Sequence, residues 1–492
     1  MNWGFILCII HPSWGLEESF DWPMARGTQS LTGVASGKLP EEPSLLWQFK
    51  TEQAIDGAPA IVDGIVYMGS DDEHVYAISL ETGKLVWEAT LEGQIDATPC
   101  VLGDSLYVGS SGGTFYCLAT ENGAPRWTFE TGDKILGGAN YYEPDNLEYP
   151  WIIFGSYDSY LYCLDSRDGS KVWTYQTDNF INGTPAVFED QVIVGGCDAH
   201  VHVLSATDGS AICSVEVGGP IAGSVAVDGG FAYVGHYGNE VVCVDIADQT
   251  VEWTFKDRAF PYASSPALSL DRVVIGGRDK GLHCLDRKTG ERIWRASARE
   301  NIDSSPVICG DRVVYGTEDG TLNIVSLEKV SQENGDEGRI WSFTIGEALI
   351  APPAVARGMI VIGSYEGTVY AFGATPPSLE DDRKEPTRAD QMYRTVLLSQ
   401  KCSHTAFCIA VLLSVLLYVE MIFFCGRSRW LILACSLQAL AVIPFVSVVS
   451  DSEATWSKIL AVIIPAVGFQ ILLVRQLAWE RNRPPSPNEA DE

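Results

Sequence analysis

No two of the thirteen cysteines in this chain are adjacent, and no Cys-x-x-Cys pair occurs. That excludes zinc-ribbon and thioredoxin-type redox motifs. Histidine is scarce, at seven residues in 492. Positive charge is short as well: 33 Lys and Arg stand against 64 Asp and Glu, a net charge of −31 that lies almost wholly in residues 1–375. Such a field argues against a nucleic-acid surface and for solubility or cationic partners. No kinase or cyclase motif is present, nor a complete catalytic constellation. Apolar runs long enough to span a bilayer are missing before residue 404.

What the chain does have is a ladder. Trp47, Trp87, Trp127, Trp173, Trp253, Trp294 and Trp341 recur at steps near 40 residues, with Cys213 on the one rung that lacks tryptophan. A fixed period of that length is one supersecondary unit copied many times. Each unit holds a short apolar stretch after a small residue and often a proline, as in Thr98-Pro99-Cys100. A second stretch ends in glycine, as in Leu106-Tyr107-Val108-Gly109. A third alternates aromatic and small residues, as in Phe115-Tyr116-Cys117, and the fourth carries the tryptophan. Short β-branched and aromatic runs bounded by Gly, Asp and Asn read as strands. Gly83, Gly123, Gly169, Gly209 and Gly290 stand four residues before a rung, where a tight turn needs positive φ. Four strands per 40 residues is one propeller blade.

The glycine-ending strand occurs eight times, which predicts eight blades. The first tryptophan strand, 45–50, precedes all others, and the last unit, 350–373, lacks its own. The N-terminal strand is therefore expected to complete the last blade and close the ring, removing the open edges of a sheet. Longer steps place insertions at about 141–150 and 328–338. The expected fold is all-β: an eight-bladed propeller of four-stranded antiparallel blades at 45–373. The tryptophans are expected to pack between neighbouring sheets.

Three sets of side chains are candidates for chemistry. Cys117, Cys163, Cys243 and Cys284 share one repeat position with Ala77, Val203, Ile324 and Ala371, which marks a buried small residue. One cysteine per blade also separates them too far for disulfides. His200 and His202 share a strand face and, with His236 of the next blade, form a weak metal candidate. His202, however, fills the slot of Tyr76, Tyr116, Tyr162 and Tyr370, a packing slot. Asp56, Asp96, Asn182 and Asp303 each precede the proline of a first strand by three residues. In a propeller that strand lines the channel, so these groups should ring one mouth. Clustered oxygens there can hold Ca²⁺, whereas isolated ones cap turns.

These motifs resemble the pyrroloquinoline-quinone-like propeller repeat, through Val75-Tyr76-Ala77 followed by Glu81-Thr82-Gly83-Lys84-Leu85-Val86-Trp87. The opening Asp21-Trp22-Pro23-Met24-Ala25-Arg26-Gly27 is similar to the lead-in of many bacterial members. The resemblance covers roughly residues 20–373. It implies either of two activities, since one fold hosts many. One branch, the quinoprotein dehydrogenases, holds pyrroloquinoline quinone and Ca²⁺ near the axis, and many carry a disulfide between adjacent cysteines, which this chain lacks. The other, exemplified by the propeller lipoprotein of the outer-membrane β-barrel assembly machinery, binds proteins; this chain has no clear lipobox.

The two ends differ from the middle. Residues 1–15 read as a signal peptide or short anchor, with an apolar run at 3–10 and small residues at Ser13 and Gly15. Residues 16–44 form a lead-in and 374–403 a linker. Three apolar runs at 405–425, 430–449 and 456–474 match transmembrane helices within 404–479, followed by a polar tail at 480–492. Glu420 is an acidic group within the first run, a functional candidate or a snorkelling side chain near a helix end. Arg427, Arg429, Arg475, Arg481 and Arg483 outnumber Arg394, Lys401 and Lys458, which places the propeller outside. The sequence thus points to a multi-pass membrane protein whose periplasmic propeller is a scaffold for cell-envelope proteins, with lipid contacts through its helices. A quinone-dependent alcohol or sugar dehydrogenase and a membrane sensor are the alternatives.

Overall fold

The computed structural model describes residues 21–144, 147–328 and 338–375. They form eight sheets of antiparallel strands, paired in chain order within each sheet. Blade 1 is representative: Ala60–Val62, Ile65–Ser70, His74–Ser79 and Leu85–Thr90, from the channel outward. Blade 8 is composite. Ala354–Ala356, Met359–Gly363 and Thr368–Gly373 are completed by Ser44–Lys50, paired antiparallel with Trp47 opposite Ala371. The first strand of the ring and the last thus share one sheet, as the displaced tryptophan predicts.

The middle two strands of a blade are buried but for half-buried end residues, whereas the fourth alternates, its outer residues exposed. That follows from sheets stacked face to face, with only the rim meeting water. The rungs sit opposite the small-residue position: Ala77 faces Trp87, Cys117 faces Trp127 and Cys284 faces Trp294 across the third and fourth strands. A β-bulge follows at that point in every blade. It re-aims the outer strand and increases its twist.

The rings staple neighbouring blades. Trp87 Nε1 donates to the Thr120 carbonyl at 2.8 Å, and Trp47, Trp127, Trp173, Trp253 and Trp294 reach the equivalent carbonyls of Leu80, Ser166, Ala206, Arg287 and Leu327 at 2.7–3.0 Å. Trp47, Trp87, Trp127, Trp173 and Trp253 each lie over the next blade's turn glycine. At Gly123, with φ of 69°, an added Cβ would stand 2.7 Å from the Trp87 ring. Trp341 differs, stacking on Phe343 and edge-on to Phe372. Cys117, Cys163, Cys243 and Cys284 are buried with free thiols.

One blade departs from four strands. Val34–Ala35 pairs parallel with Val307–Cys309, giving blade 7 a fifth strand on the channel side. Its cause is the lead-in, which follows the inside of the channel. Each innermost strand has one bonded edge, so its free N–H groups need partners. The carbonyls of Trp22, Pro23, Gln29, Ser30, Thr32 and Gly33 accept from the N–H groups of Ile61, Val101, Val187, Val227, Leu268 and Ile308 at 2.7–2.9 Å. Asn140 and Tyr141 of blade 3 are bonded through Gln29, and Arg357 of blade 8 pairs with Asp21 at 2.9 Å. A single short segment therefore ties together all eight blades at one end of the channel.

Among the described residues no helix is long and apolar enough to cross a membrane. The signal segment, the linker beyond residue 375, the three apolar runs, Glu420 and the polar tail lie outside the described residues. The insertions fall between Asn140–Tyr142 and Trp151–Gly155 in blade 3, and between Thr321–Ser326 and Arg339–Thr344 in blade 7.

Candidate functional site at the channel mouth

The innermost strands run from an open mouth toward the lead-in. Two residue positions per blade build that mouth. One is the Asp56 position, just before the first strand. The other is two residues beyond the glycine that ends the second strand: Asp71, Ser111, Tyr157, Cys197, Tyr237, Arg278, Glu318 and Tyr365. Each of these eight donates its backbone N–H to a carbonyl of the segment leading into its own blade's inner strand, such as Asp71 to Ala54 and Tyr157 to Lys134. The backbone is thus held alike in every blade, and the side chains are free to differ.

Three carboxylates converge on blades 1 and 2. Asp56, Asp71 and Asp96 each offer an oxygen within 4.8 Å of the others. Asp71 Oδ2 accepts from Gln94 Nε2 at 3.4 Å, while its Oδ1 is buried without a partner. Desolvation pushes the Asp71 pKa up to about 7, helped by the neighbouring Asp96 carboxyl and by the charges of Asp96, Asp56 and Asp72. Asp56 is raised as well, by desolvation first and Asp96 second. Like charges this close favour a shared proton or a bound cation. Carboxylate oxygens in a cluster are the donors that Ca²⁺ and ammonium or guanidinium groups take.

The other two predicted residues stand at the same mouth but are engaged differently. Asn182 accepts from the Tyr157 hydroxyl at 2.5 Å and donates to the Ala222 carbonyl at 2.6 Å. Tyr157 stacks on Phe180, with centroids 4.4 Å apart, beneath the Lys134 ammonium. Asp303 is neutralised by a bidentate Arg278, whose guanidinium lies over the Tyr237 ring. The mouth therefore changes around its circumference: acidic at blades 1 and 2, aromatic at 3 to 5, and ion-paired at 6 and 7. Phe260, Tyr237 and Tyr365 leave exposed aromatic surface on the side of the ring that carries these loops.

Sequence reading found the Asp56 position and missed the Asp71 position. A signal was present: the residue two beyond the strand-ending glycine varies in type while its neighbours repeat. The lead-in residue Arg26, fully buried, was also read only as part of a motif.

His200 and His202 are neighbours, with ring centroids 5.9 Å apart, but neither forms a close group of three possible metal ligands among the described residues. His202 Nε2 bonds Asp198 at 3.0 Å, in the slot where Tyr76 bonds Asp72 and Tyr162 bonds Asp158. His200 Nδ1 meets the Asp198 carbonyl at 2.9 Å. His236, on the blade after that of His202, accepts through Nδ1 from the Gly238 N–H of its own hairpin. Burial lowers the pKa of both His202 and His236. A second close group, Asp257, Asp279 and His283, is occupied by protein cations: Arg292 reaches Asp257 at 2.8 Å and Arg295 reaches Asp279 at 3.5 Å.

Of the quinone and Ca²⁺ that the repeat implies, the carboxylate trio fits the cation. The cavity on the axis measures about 70 Å³, against about 300 Å³ or more for pockets that take drug-sized ligands.

Comparison with known proteins agrees with this architecture. The sequence model described as outer membrane protein assembly factor BamB matches residues 40–141 and 261–337, and that of the LVIVD repeat matches 219–251. The outer membrane protein assembly factor BamB of Burkholderia pseudomallei is 25% identical over 114 residues, 23% of this chain and 28% of that protein. The match thus spans under a third of the relative's length. Among solved structures, BamB from Moraxella catarrhalis superposes with a TM-score of 0.57 at 20% identity, over 68% of this chain and 98% of that one. The quinohemoprotein alcohol dehydrogenase of Comamonas testosteroni gives 0.60 at 12% identity, over 72% and 81%. At such identities the shared property is the eight-bladed fold, to which both assembly factors and oxidoreductases are similar.

Proposed function

We propose that this chain is a protein-binding scaffold of the bacterial cell envelope, held to the membrane by its C-terminal apolar runs with the propeller on the outer side. The observation that carries the reading is the mouth itself. Asp56, Asp71 and Asp96 gather three carboxylates beside stacked and exposed aromatic rings. That pairing suits a partner segment with a basic group and an apolar neighbour, since aromatics supply contact area and desolvated carboxylates supply orientation. The similarity to an outer membrane protein assembly factor supports the same class of role, as does a rigid ring that presents variable side chains on a constant backbone. Enrichment of envelope proteins on the full chain in mild detergent tests it. The Asp56→Asn, Asp71→Asn, Asp96→Asn triple variant is expected to lose at least ten-fold of the captured partner while unfolding cooperatively at a melting temperature no lower than that of the natural chain. Equal capture by the variant contradicts the reading.

A quinoprotein dehydrogenase is the second reading, favoured by the trio as a Ca²⁺ site and by Asp303 beside Arg278. Reconstitution with pyrroloquinoline quinone and Ca²⁺, followed by a dye-linked assay on alcohols and sugars, decides it. Turnover abolished by Asp303→Ala supports an enzyme, and no turnover removes it.

A further inference from the structure

The channel end held by the lead-in contains a cation without a counter-ion. Arg26 is 4% exposed. Its Nη2 donates to the carbonyls of Pro266 and Pro306 at 3.0 and 2.7 Å, which leaves Nε and Nη1 buried and without partners. No carboxylate among the described residues lies within 4.0 Å of the guanidinium. Burial draws its pKa down to about 9, so it stays charged at neutral pH. Gly33 is what admits it: a Cβ there would overlap the guanidinium.

Arg26 borders the axial cavity of about 70 Å³, with Trp22 and the hydroxyls of Thr98, Thr184, Ser224, Ser265 and Ser305. The hydroxyls stand at one repeat position, and each accepts a backbone N–H from the preceding blade at 2.9–3.1 Å. A hydroxyl that accepts in this way keeps its own proton to donate. The Trp22 Nε1 proton is likewise buried and unpartnered. The residues around the cavity therefore carry donors that lack acceptors: two guanidinium nitrogens and an indole N–H, beside a ring of O–H groups. Leaving such donors empty in a low-dielectric site costs free energy, most of all for the charged one. Neutral water satisfies donors but leaves the charge uncompensated.

We propose that this axial cavity is a binding site for a small monovalent inorganic anion of halide size, held by Arg26, Trp22 and the hydroxyl ring, and that the anion locks the lead-in to the blades. The cavity lies just beneath the mouth, since Ala58 and Thr98 of its lining follow Asp56 and Asp96 by two residues; the proposal rests on Arg26, Trp22 and the hydroxyls, and the proposed function on the carboxylates.

Bromide tests it directly. Crystals of the natural full chain grown or soaked in bromide are expected to show an anomalous peak on the axis within 3.5 Å of Arg26 Nε or Nη1, the ordinary limit for such a bond. Ordered water at that position in bromide overturns the proposal. In solution, replacing gluconate by chloride at fixed ionic strength is expected to raise the melting temperature by about 2 °C, saturating with chloride. No shift overturns it. Arg26→Gln is expected to abolish the chloride dependence, and retained dependence in a folded variant counts against the site. Should that variant not fold, the bromide experiment on the natural chain decides alone.

Discussion

Tryptophan and glycine are coupled across every blade boundary where both occur. The ring of one blade lies on the turn of the next, and the turn glycine has no Cβ to strike it. Where the ring is absent, so is the glycine: blade 4 carries Cys213, and the turn that follows holds Gln249 at φ of 58°. The pair Cys213 and Gln249 is thus a natural double substitution within the chain's own repeats. Trp87→Ala is expected to cost about 3–5 kcal/mol by denaturant unfolding, as for other large buried aromatics. Gly123→Gln should be destabilising alone and much less so with Trp87→Cys, giving a coupling energy of about 1–2 kcal/mol in a double-mutant cycle. Additive effects would mean the ring and the turn do not touch.

At the mouth, Asp71 holds a proton that the unfolded chain releases above about pH 4. Stability conferred by that proton is lost as pH rises from about 4 to about 7, and stays lower above. Asp71→Asn is expected to raise the melting temperature at pH 8 and flatten its decline across that window. A variant no more stable than the natural chain at pH 8 would show that the three carboxylates are not crowded. The Asp56, Asp96, Asn182 and Asp303 position was legible because the repeat places it before a proline. Whether those oxygens cluster was not, because it depends on Asp71, which the chain brings from another loop.

Among elements, the closing strand and the lead-in do different work. Ser44–Lys50 supplies the fourth strand of blade 8 and a tryptophan staple to Leu80. Its role was legible because the ladder begins one rung early. The lead-in was not. Most of its bonds to the blades are made by backbone carbonyls, which no side-chain pattern reports, and its residues carry no period of 2 or 3.6. Deleting 21–35 removes six such backbone bonds. At about 1 kcal/mol each, the loss is expected near 6 kcal/mol, read as a lower urea midpoint with an otherwise native far-ultraviolet spectrum. An unchanged midpoint would mean the segment only rests in the channel.

On the scale of the whole molecule, repetition divides the labour. Positions that repeat build the ring: the glycine-ending strand, the small residue opposite the rung, and the staple. Positions that vary within the same frame form the mouth, and there the chain concentrates acidic and aromatic groups. A net charge of −31 adds a long-range attraction for cationic partners, which salt weakens. The eight-blade count was legible from periodicity, since a repeat must stack to bury its faces. The choice between scaffold and enzyme was not, because the same ring carries either.

The most direct test places a photo-crosslinking residue at Tyr237 or Tyr365 on the mouth, and at Val86 on the outer strand as a control, in the full chain in its native membranes. The account predicts a discrete envelope-protein adduct from the mouth positions, weakened by salt and lost in the Asp56, Asp71, Asp96 triple-Asn variant, with none from Val86. Adducts from Val86 alone, or mouth adducts indifferent to the three carboxylates, would contradict it.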